Sequence, residues 1–167
     1  MSSTKDKGYL LGIGSNLSPH QNISAIVDML LAHFPRLTLS RVLLIPPVGM
    51  NSNHDFLNVV VFIETSQKES ELKAICNAIE TKLGRDRHDP ASKIKDRPAD
   101  LDILCPIQHQ QDWYRSPSSI TDEYFIYPLL EEICAFLTDQ PYDNPQRGVV
   151  IKINDLTFGQ TATTIHR

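Results

Sequence analysis

An α+β domain is expected from this chain, an antiparallel sheet with helices packed on one face, and three observations lead there. Two amphipathic helical stretches each lie between strand-like runs. The two central strand-like runs, residues 37–45 and 56–65, follow one another with no helix between them, which argues against a doubly wound parallel sheet. Finally, 167 residues with 41% hydrophobic and 22% charged side chains suit a single domain over 1–167 and exclude disorder, collagen-like repeats and a disulfide-stapled miniprotein.

Taken in order, residues 9–13 form a short apolar strand that runs into Gly14-Ser15-Asn16, a turn-favouring triplet. Ile23, Ile26, Val27, Leu30, Leu31 and Phe34 recur at the steps of one helix face, and Pro35 ends that helix. Residues 37–45 read as a strand stopped by Pro46-Pro47 and Gly49, and residues 56–65, with the run NVVVFIE, as its antiparallel neighbour. The loop between them, 46–55, is longer than a hairpin needs, a length typical of functional loops. Ser66 and Glu69 have capping-box spacing for a second helix with Leu72, Ile75, Cys76, Ile79 and Leu83 as its buried stripe and Gly84 as its stop. Residues 100–105 form a strand, 128–137 a short helix with Pro128 in its first turn, and 149–153 a last strand. Strand, helix, strand, strand, helix, strand is the ferredoxin-like plan. Its core spans about 8–158, and the tails beyond are expected to fray.

A formal net charge of -4 argues against non-specific nucleic-acid binding, which needs a basic footprint. The interleaved aromatic and glycine signature of RNA base stacking is also missing. Cys76, Cys105 and Cys134 are odd in number and widely spaced, so they read as reduced thiols, and the six histidines show no ligand spacing. The apolar run near the N-terminus is too short for a signal or membrane segment. A monomeric cytoplasmic protein acting on small molecules is the resulting expectation.

The most informative feature is Asp100-Leu101-Asp102-Ile103. On a strand the two carboxylates share one face roughly 7 Å apart while Leu101 and Ile103 point to the core. Such a pair attracts a hard divalent cation such as Mg²⁺, although a solvated strand edge also carries aspartates. Residues 82–97 hold six cations (Lys82, Arg85, Arg87, Lys93, Lys95, Arg97) against three acids, whereas the rest of the chain holds ten against seventeen. Arginines beside a metal-binding pair suit a polyphosphate; a solvated charged loop is the plainer reading. Phe56 and Asn58 share a strand face, where a ring to stack on and a carboxamide suit a flat heterocycle, or simply a packed core with a satisfied Asn.

Five motifs in order then carry a resemblance: GSNL at 14–17, PPVG at 46–49, DFLN at 55–58, E-x-x-x-G-R-x-R at 80–87 and RPADLDI at 97–103. From about residue 9 to 133 the chain resembles the 6-hydroxymethyl-7,8-dihydropterin pyrophosphokinases of folate biosynthesis. The resemblance implies a ferredoxin-like fold, ATP as co-substrate and two Mg²⁺ ions held by Asp100 and Asp102. Pyrophosphate would pass from ATP to the pterin hydroxymethyl group, with release of AMP. Arg87 and Arg97 match loop arginines that grip the phosphates and, with the two aspartates, make up the implied catalytic set. Asn77, Glu80, Arg85, Ile103 and Arg115 fall at further nucleotide-side positions. For the pterin the resemblance implies Ile45, Pro46, Val48, Phe56, Asn58 and Tyr124.

The chain also departs from that pattern. Ile94-Lys95-Asp96-Arg97 stands where many members have Trp-Gly-Pro-Arg, and Ser116-Pro117-Ser118-Ser119 with Asp122 replaces a Pro-His-Pro segment and a following arginine. Metal and pterin pockets are therefore expected to be kept more fully than the nucleotide pocket. Two alternatives stay open, a non-catalytic pterin- or nucleotide-binding paralogue and another DxD metal-dependent transferase.

Overall fold

The computed structural model of the chain describes residues 7–50, 52–91 and 95–167. Strand β1 (Gly8–Ser15) leads to helix α1 (Pro19–His33), strands β2 (Arg36–Leu39), β3 (Leu43–Ile45) and β4 (Phe56–Glu64), helix α2 (Glu69–Lys82) and strand β5 (Asp100–Ile107). Two short 3₁₀ segments, Gln110–Tyr114 and Tyr124–Ile126, flank the short helix α3 (Pro117–Ile120) and precede α4 (Tyr127–Leu137). Strands β6 (Ile151–Ile153), β7 (Leu156–Phe158) and β8 (Thr163–His166) complete the chain. The main sheet runs β5-β1-β4-β2-β8, with β3 also paired to β4, and every pairing in it is antiparallel. The α+β expectation therefore holds.

Helix α1 forms on the predicted stripe. Ile23, Ile26, Val27, Leu30 and Leu31 are buried, each stabilising the fold by roughly 1.5–3 kcal/mol relative to exposure. Helix α2 ends as predicted at Gly84, whose φ of 98° a residue with a side chain rarely adopts. Its start is corrected: the N-cap is Lys68, and the Glu71 carboxylate accepts its backbone N–H at 2.8 Å, so the box lies two residues beyond Ser66 and Glu69.

The expectation of helices on one face is also corrected. Tyr9, Leu11, Ile13, Val59, Val61 and Leu101 form one core with α1 and α2. Leu10, Val60, Phe62 and Trp113 form a second core with Leu129, Leu130 and Ile133 of α4. Strand β4 is buried along eight successive residues, the pattern of a strand covered on both sides, so the run VVVF carried the signal for a second layer.

The predicted strand 37–45 breaks at Ser40-Arg41-Val42, because the Arg41 N–H leaves the ladder to donate to Glu132 of α4 at 2.9 Å. Ser40 bridges the break, its Oγ accepting from the Val60 N–H at 3.0 Å. The predicted strand 149–153 is the shorter β6, which pairs only with β7 in a separate ribbon. Beyond residue 158 the chain does not fray: β8 pairs with β2 from Arg36↔His166 to Leu39↔Thr163 and covers that edge of the sheet.

Candidate active site

Strand β1 continues two residues past the predicted 9–13, and this extension builds the floor of the site. On the α4 side of the sheet Leu10 is covered, whereas the next two positions on that face are Gly12 and Gly14. Gly12 pairs with Asp102 on one neighbour and Val60 on the other; Gly14 pairs with Asp100 and Asn58. Two missing side chains thus leave a trough between the paired aspartates of β5 and Phe56 and Asn58 of β4. A Cβ on Gly14 would stand 2.8 Å from Asn58 Oδ1 and 3.4 Å from Phe56 Cδ1, so only glycine lets the carboxamide lie across β1. The sequence showed this as glycine at two alternate strand positions, which the turn reading of 14–16 concealed.

The trough is a cavity of ≈ 310 Å³. Ile45, Pro46 and Val48 form one rim, Phe56 and Asn58 part of the wall, and Tyr124 the opposite lip, so all six predicted pterin-side residues line it. Arg97, Asp100 and Asp102 line it as well, and the Arg97 guanidinium carbon lies 6.0 Å from the centre of the Phe56 ring, within cation–π reach. Met50, Asp122, Glu123 and Phe125 also line the cavity and were not foreseen as site residues.

The remaining predicted residues stand elsewhere. Glu80 is buried on α2, and its carboxylate accepts from the Leu101 N–H at 2.7 Å and from Arg87 Nε and Nη2 at 2.5 and 2.7 Å. It therefore locks the start of β5 against the helix. Arg85 is buried and donates to Asp100 Oδ1 at 2.7 Å. Ile103 packs against the α1–α2 core, Asn77 is exposed on α2, and exposed Arg115 donates to the Ser119 carbonyl at 3.1 Å. Neither Asn77 nor Arg115 is among the residues lining the cavity. Ile94, where the tryptophan departure falls, and Lys93 lie outside the described residues.

The two aspartates share a face but not an environment. Asp100 receives Arg85 and, at 3.2 and 3.0 Å, Arg87 Nη2 and Arg97 Nη1. Asp102 is approached by Arg87 only at 3.5 Å, and its side chain is 45% exposed. Although nearly half of the side chain reaches solvent, the protein packed around it partly desolvates the carboxyl and this, then the neighbouring Asp100 carboxylate, pushes Asp102 up to about 6. Burial, then Asp100, also raises Glu123. Among the described residues lining the cavity are four carboxylates (Asp100, Asp102, Asp122, Glu123) and one guanidinium, Arg97. Such a wall repels a polyanion unless a cation enters with it.

The donor set suits a hard divalent ion. Among the described residues no group of three or more His, Cys, Asp or Glu side chains is gathered for a metal. Asp100 and Asp102 would supply the protein ligands, leaving the other oxygens to water and substrate, the usual arrangement for Mg²⁺. The cysteines offer no competing chemistry, since burial pushes Cys76 and Cys134 up to about 12 and raises Cys105.

Comparison with known proteins identifies the setting. Residues 10–133 match the family model described as 7,8-dihydro-6-hydroxymethylpterin-pyrophosphokinase. A protein of Porphyromonas gingivalis named 2-amino-4-hydroxy-6-hydroxymethyldihydropteridine pyrophosphokinase is 42% identical over 119 residues, covering 63% of this chain and 81% of the relative. A Bacillus subtilis protein of the same name is 31% identical over 131 residues, covering 74% and 76%. The matched stretch contains the strand pair with the aspartates, the glycine floor and both cavity rims, and the chain belongs to the 7,8-dihydro-6-hydroxymethylpterin-pyrophosphokinase family.

Proposed function

We propose that this chain transfers pyrophosphate from ATP to the hydroxymethyl group of 6-hydroxymethyl-7,8-dihydropterin, releasing AMP, in folate biosynthesis. The observation that carries the reading is the trough floored by Gly12 and Gly14, with a heterocycle-sized slot on its β4 side and paired aspartates on its β5 side. Strand order β5-β1-β4-β2 supports reading the fold as ferredoxin-like. The proposal includes a monomer in the cytoplasm, where free thiols such as buried Cys76 and Cys105 persist.

In this reading the pterin ring stacks on Phe56, with Tyr124 on its other side, and Asn58 meets its polar edge with both a donor and an acceptor. Ile45, Pro46 and Val48 close the rim. The pterin hydroxymethyl oxygen attacks the β-phosphorus and gives up its proton to solvent, the bond from that phosphorus to the α,β-bridging oxygen breaks, and AMP departs with that oxygen. Asp100 and Asp102 would hold two Mg²⁺ ions, and bound Mg²⁺ supplies neutralisation of phosphate charge. Arg87 and Arg97, which donate to Asp100, would find phosphate oxygens as alternative partners, leaving the carboxylate for the cation. Arg85 stays buried on Asp100 and Glu80 keeps β5 aligned, so both act from behind the cavity wall.

Gly14→Ala tests the slot. The added methyl displaces the Asn58 carboxamide, at a cost of about 1–3 kcal/mol for a hydrogen-bonding group left unmatched, or roughly 5–150-fold weaker pterin binding. ATP affinity is expected to be unaffected. Calorimetric titration with pterin checks this, and equal pterin affinity in the variant would remove Asn58 from the slot.

The function itself is tested by AMP release from ATP and Mg²⁺ with and without the pterin. Pterin-dependent AMP is expected. Pterin binding without AMP favours a binding paralogue, the second reading, which Asp122 and Glu123 in the wall and Arg115 outside it support. Indifference to pterin points to another DxD transferase.

A further inference from the structure

We infer that Asp96 is a positioning residue that links the pterin-side loop to Arg97, so that filling one half of the site helps to place the arginine of the other. The inference rests on the pyrophosphokinase reading above and adds to it a means of coupling the two substrates.

The loop between β3 and β4 carries the rim residues Pro46 and Val48, and the segment between α2 and β5 carries Arg97. They come from distant parts of the chain and meet at one carboxylate. Asp96 accepts from Ser52 Oγ, lies 2.7 Å from His54 Nδ1, and accepts from Asn16 Nδ2 at 2.9 Å. Ser52 Oγ also accepts the His54 N–H at 3.0 Å, which folds this stretch of the loop into a compact turn facing Asp96.

Asn16, 3% exposed at the end of β1, completes the frame. Its Oδ1 accepts the Arg97 N–H at 2.6 Å and its own N–H donates to the Arg97 carbonyl at 3.0 Å. Its Nδ2 donates to the His54 carbonyl at 3.3 Å. Asn16 thus holds the backbone of Arg97 on both sides, the N–H through its carboxamide oxygen and the carbonyl through its own backbone N–H, while its carboxamide nitrogen holds the rim loop, and Asp96, adjacent to Arg97, fixes that carboxamide's orientation. Hydrogen bonds from Ser52, His54 and Asn16 keep the Asp96 carboxyl below the usual carboxylate range, as expected where the charged form is the one the network holds. Displacement of the rim by a bound heterocycle is transmitted to Arg97 through two side chains. Reciprocity then requires that a nucleotide gripped by Arg97 tighten pterin binding by the same factor.

A purely structural staple would lower stability and scale every constant together, so the test reads a ratio. The affinity of a non-hydrolysable ATP analogue with Mg²⁺ is measured with and without saturating pterin in wild type, Asp96→Ala, Asp96→Asn and His54→Ala. The wild type is expected to show pterin-enhanced nucleotide binding of at least about 5-fold. Asp96→Ala is expected to bring that factor close to one while changing nucleotide affinity alone by less than about 3-fold, with kcat falling more than KM for pterin. Asp96→Asn keeps an oxygen acceptor for Ser52 and Asn16 and is expected to restore most of the factor. His54→Ala, which removes a largely exposed ring from one arm of the contact, is expected to lower the factor partially without unfolding risk. An unchanged factor in both Asp96→Ala and His54→Ala, or no enhancement in a wild type that binds both ligands, overturns the inference. Wild-type AMP release is scored separately, so failure of the enzyme reading is distinguishable from failure of the coupling.

Discussion

Replacing Asp102 by Ala is expected to lower Mg²⁺-dependent kcat/KM by at least about 10²–10³-fold, the scale on which a group that stabilises developing charge acts, and to leave the fold standing. Of the two aspartates, Asp102 is the half-exposed one facing the cavity without an arginine at hydrogen-bond distance, so it is the side more open to a cation. Little apolar area is lost. The charge removed is one that burial and Asp100 oppose in the folded chain, so the variant is expected to be at least as stable as the parent at neutral pH. The pH dependence has a definite sign. The folded carboxyl is pushed up to about 6 from its ordinary 3.8, so between these values the folded state binds the proton more strongly. Wild-type stability therefore declines relative to Asp102→Asn as pH rises through that window, and the gap stays constant above it. Metal-free thermal denaturation across the window, beside an AMP assay with metal, checks both halves. Full activity in Asp102→Ala removes the metal role, and a gap that closes on raising the pH contradicts the electrostatic account.

Glu132→Ala is expected to be the most damaging single change to stability. Glu132 accepts from Arg41 at the backbone N–H, Nε and Nη2, at 2.9 to 3.1 Å, and from the Ala162 N–H at 3.0 Å. Arg41 also donates to the Asn144 and Gln146 carbonyls at 3.2 and 2.6 Å. One buried ion pair thus joins the β2–β3 break and α4 to Asn144, Gln146 and Ala162 in the chain beyond α4. Removing the carboxylate strands a buried guanidinium, costing roughly 3–5 kcal/mol, or roughly 6–20 °C in Tm for a chain of this size. A double replacement, Arg41→Met with Glu132→Leu, is expected to lie much closer to the parent because no unpaired charge is left. Thermal unfolding of both variants decides the matter; a Glu132→Ala loss under about 1 kcal/mol would show that water compensates the guanidinium.

Local patterns in the sequence carried much of the fold and part of the site. Alternation alone placed Asp100 and Asp102 on one face, and the apolar stripe of α1 is the predicted one. What escaped were relations between distant residues. Nothing near Arg41 announces a partner 91 positions away, and the single N–H that leaves the ladder for Glu132 is what divides the predicted strand. The cationic run at 82–97 suggested a surface waiting for phosphate. In the structure many of its charges are satisfied internally: Lys95 by Asp89, Arg87 by Glu80, Arg85 by Asp100, and Asp96 by Ser52 and His54. A charge count cannot separate an open patch from a set of pairs. The second helical layer was legible in principle, because consecutive apolar residues in β4 fit a strand covered on both faces. The strand-helix order alone did not reveal it.

The central claim is that the slot and the paired aspartates serve one transfer, in which two phosphoryl groups move together onto the pterin. The most direct measurement is the mass of the pterin product formed from ATP and Mg²⁺ by the purified chain, with the nucleotide product identified in the same sample. The account predicts a pterin carrying an intact pyrophosphate, equimolar with AMP. A pterin carrying one phosphoryl group together with ADP, or an unmodified pterin beside consumed ATP, would contradict it.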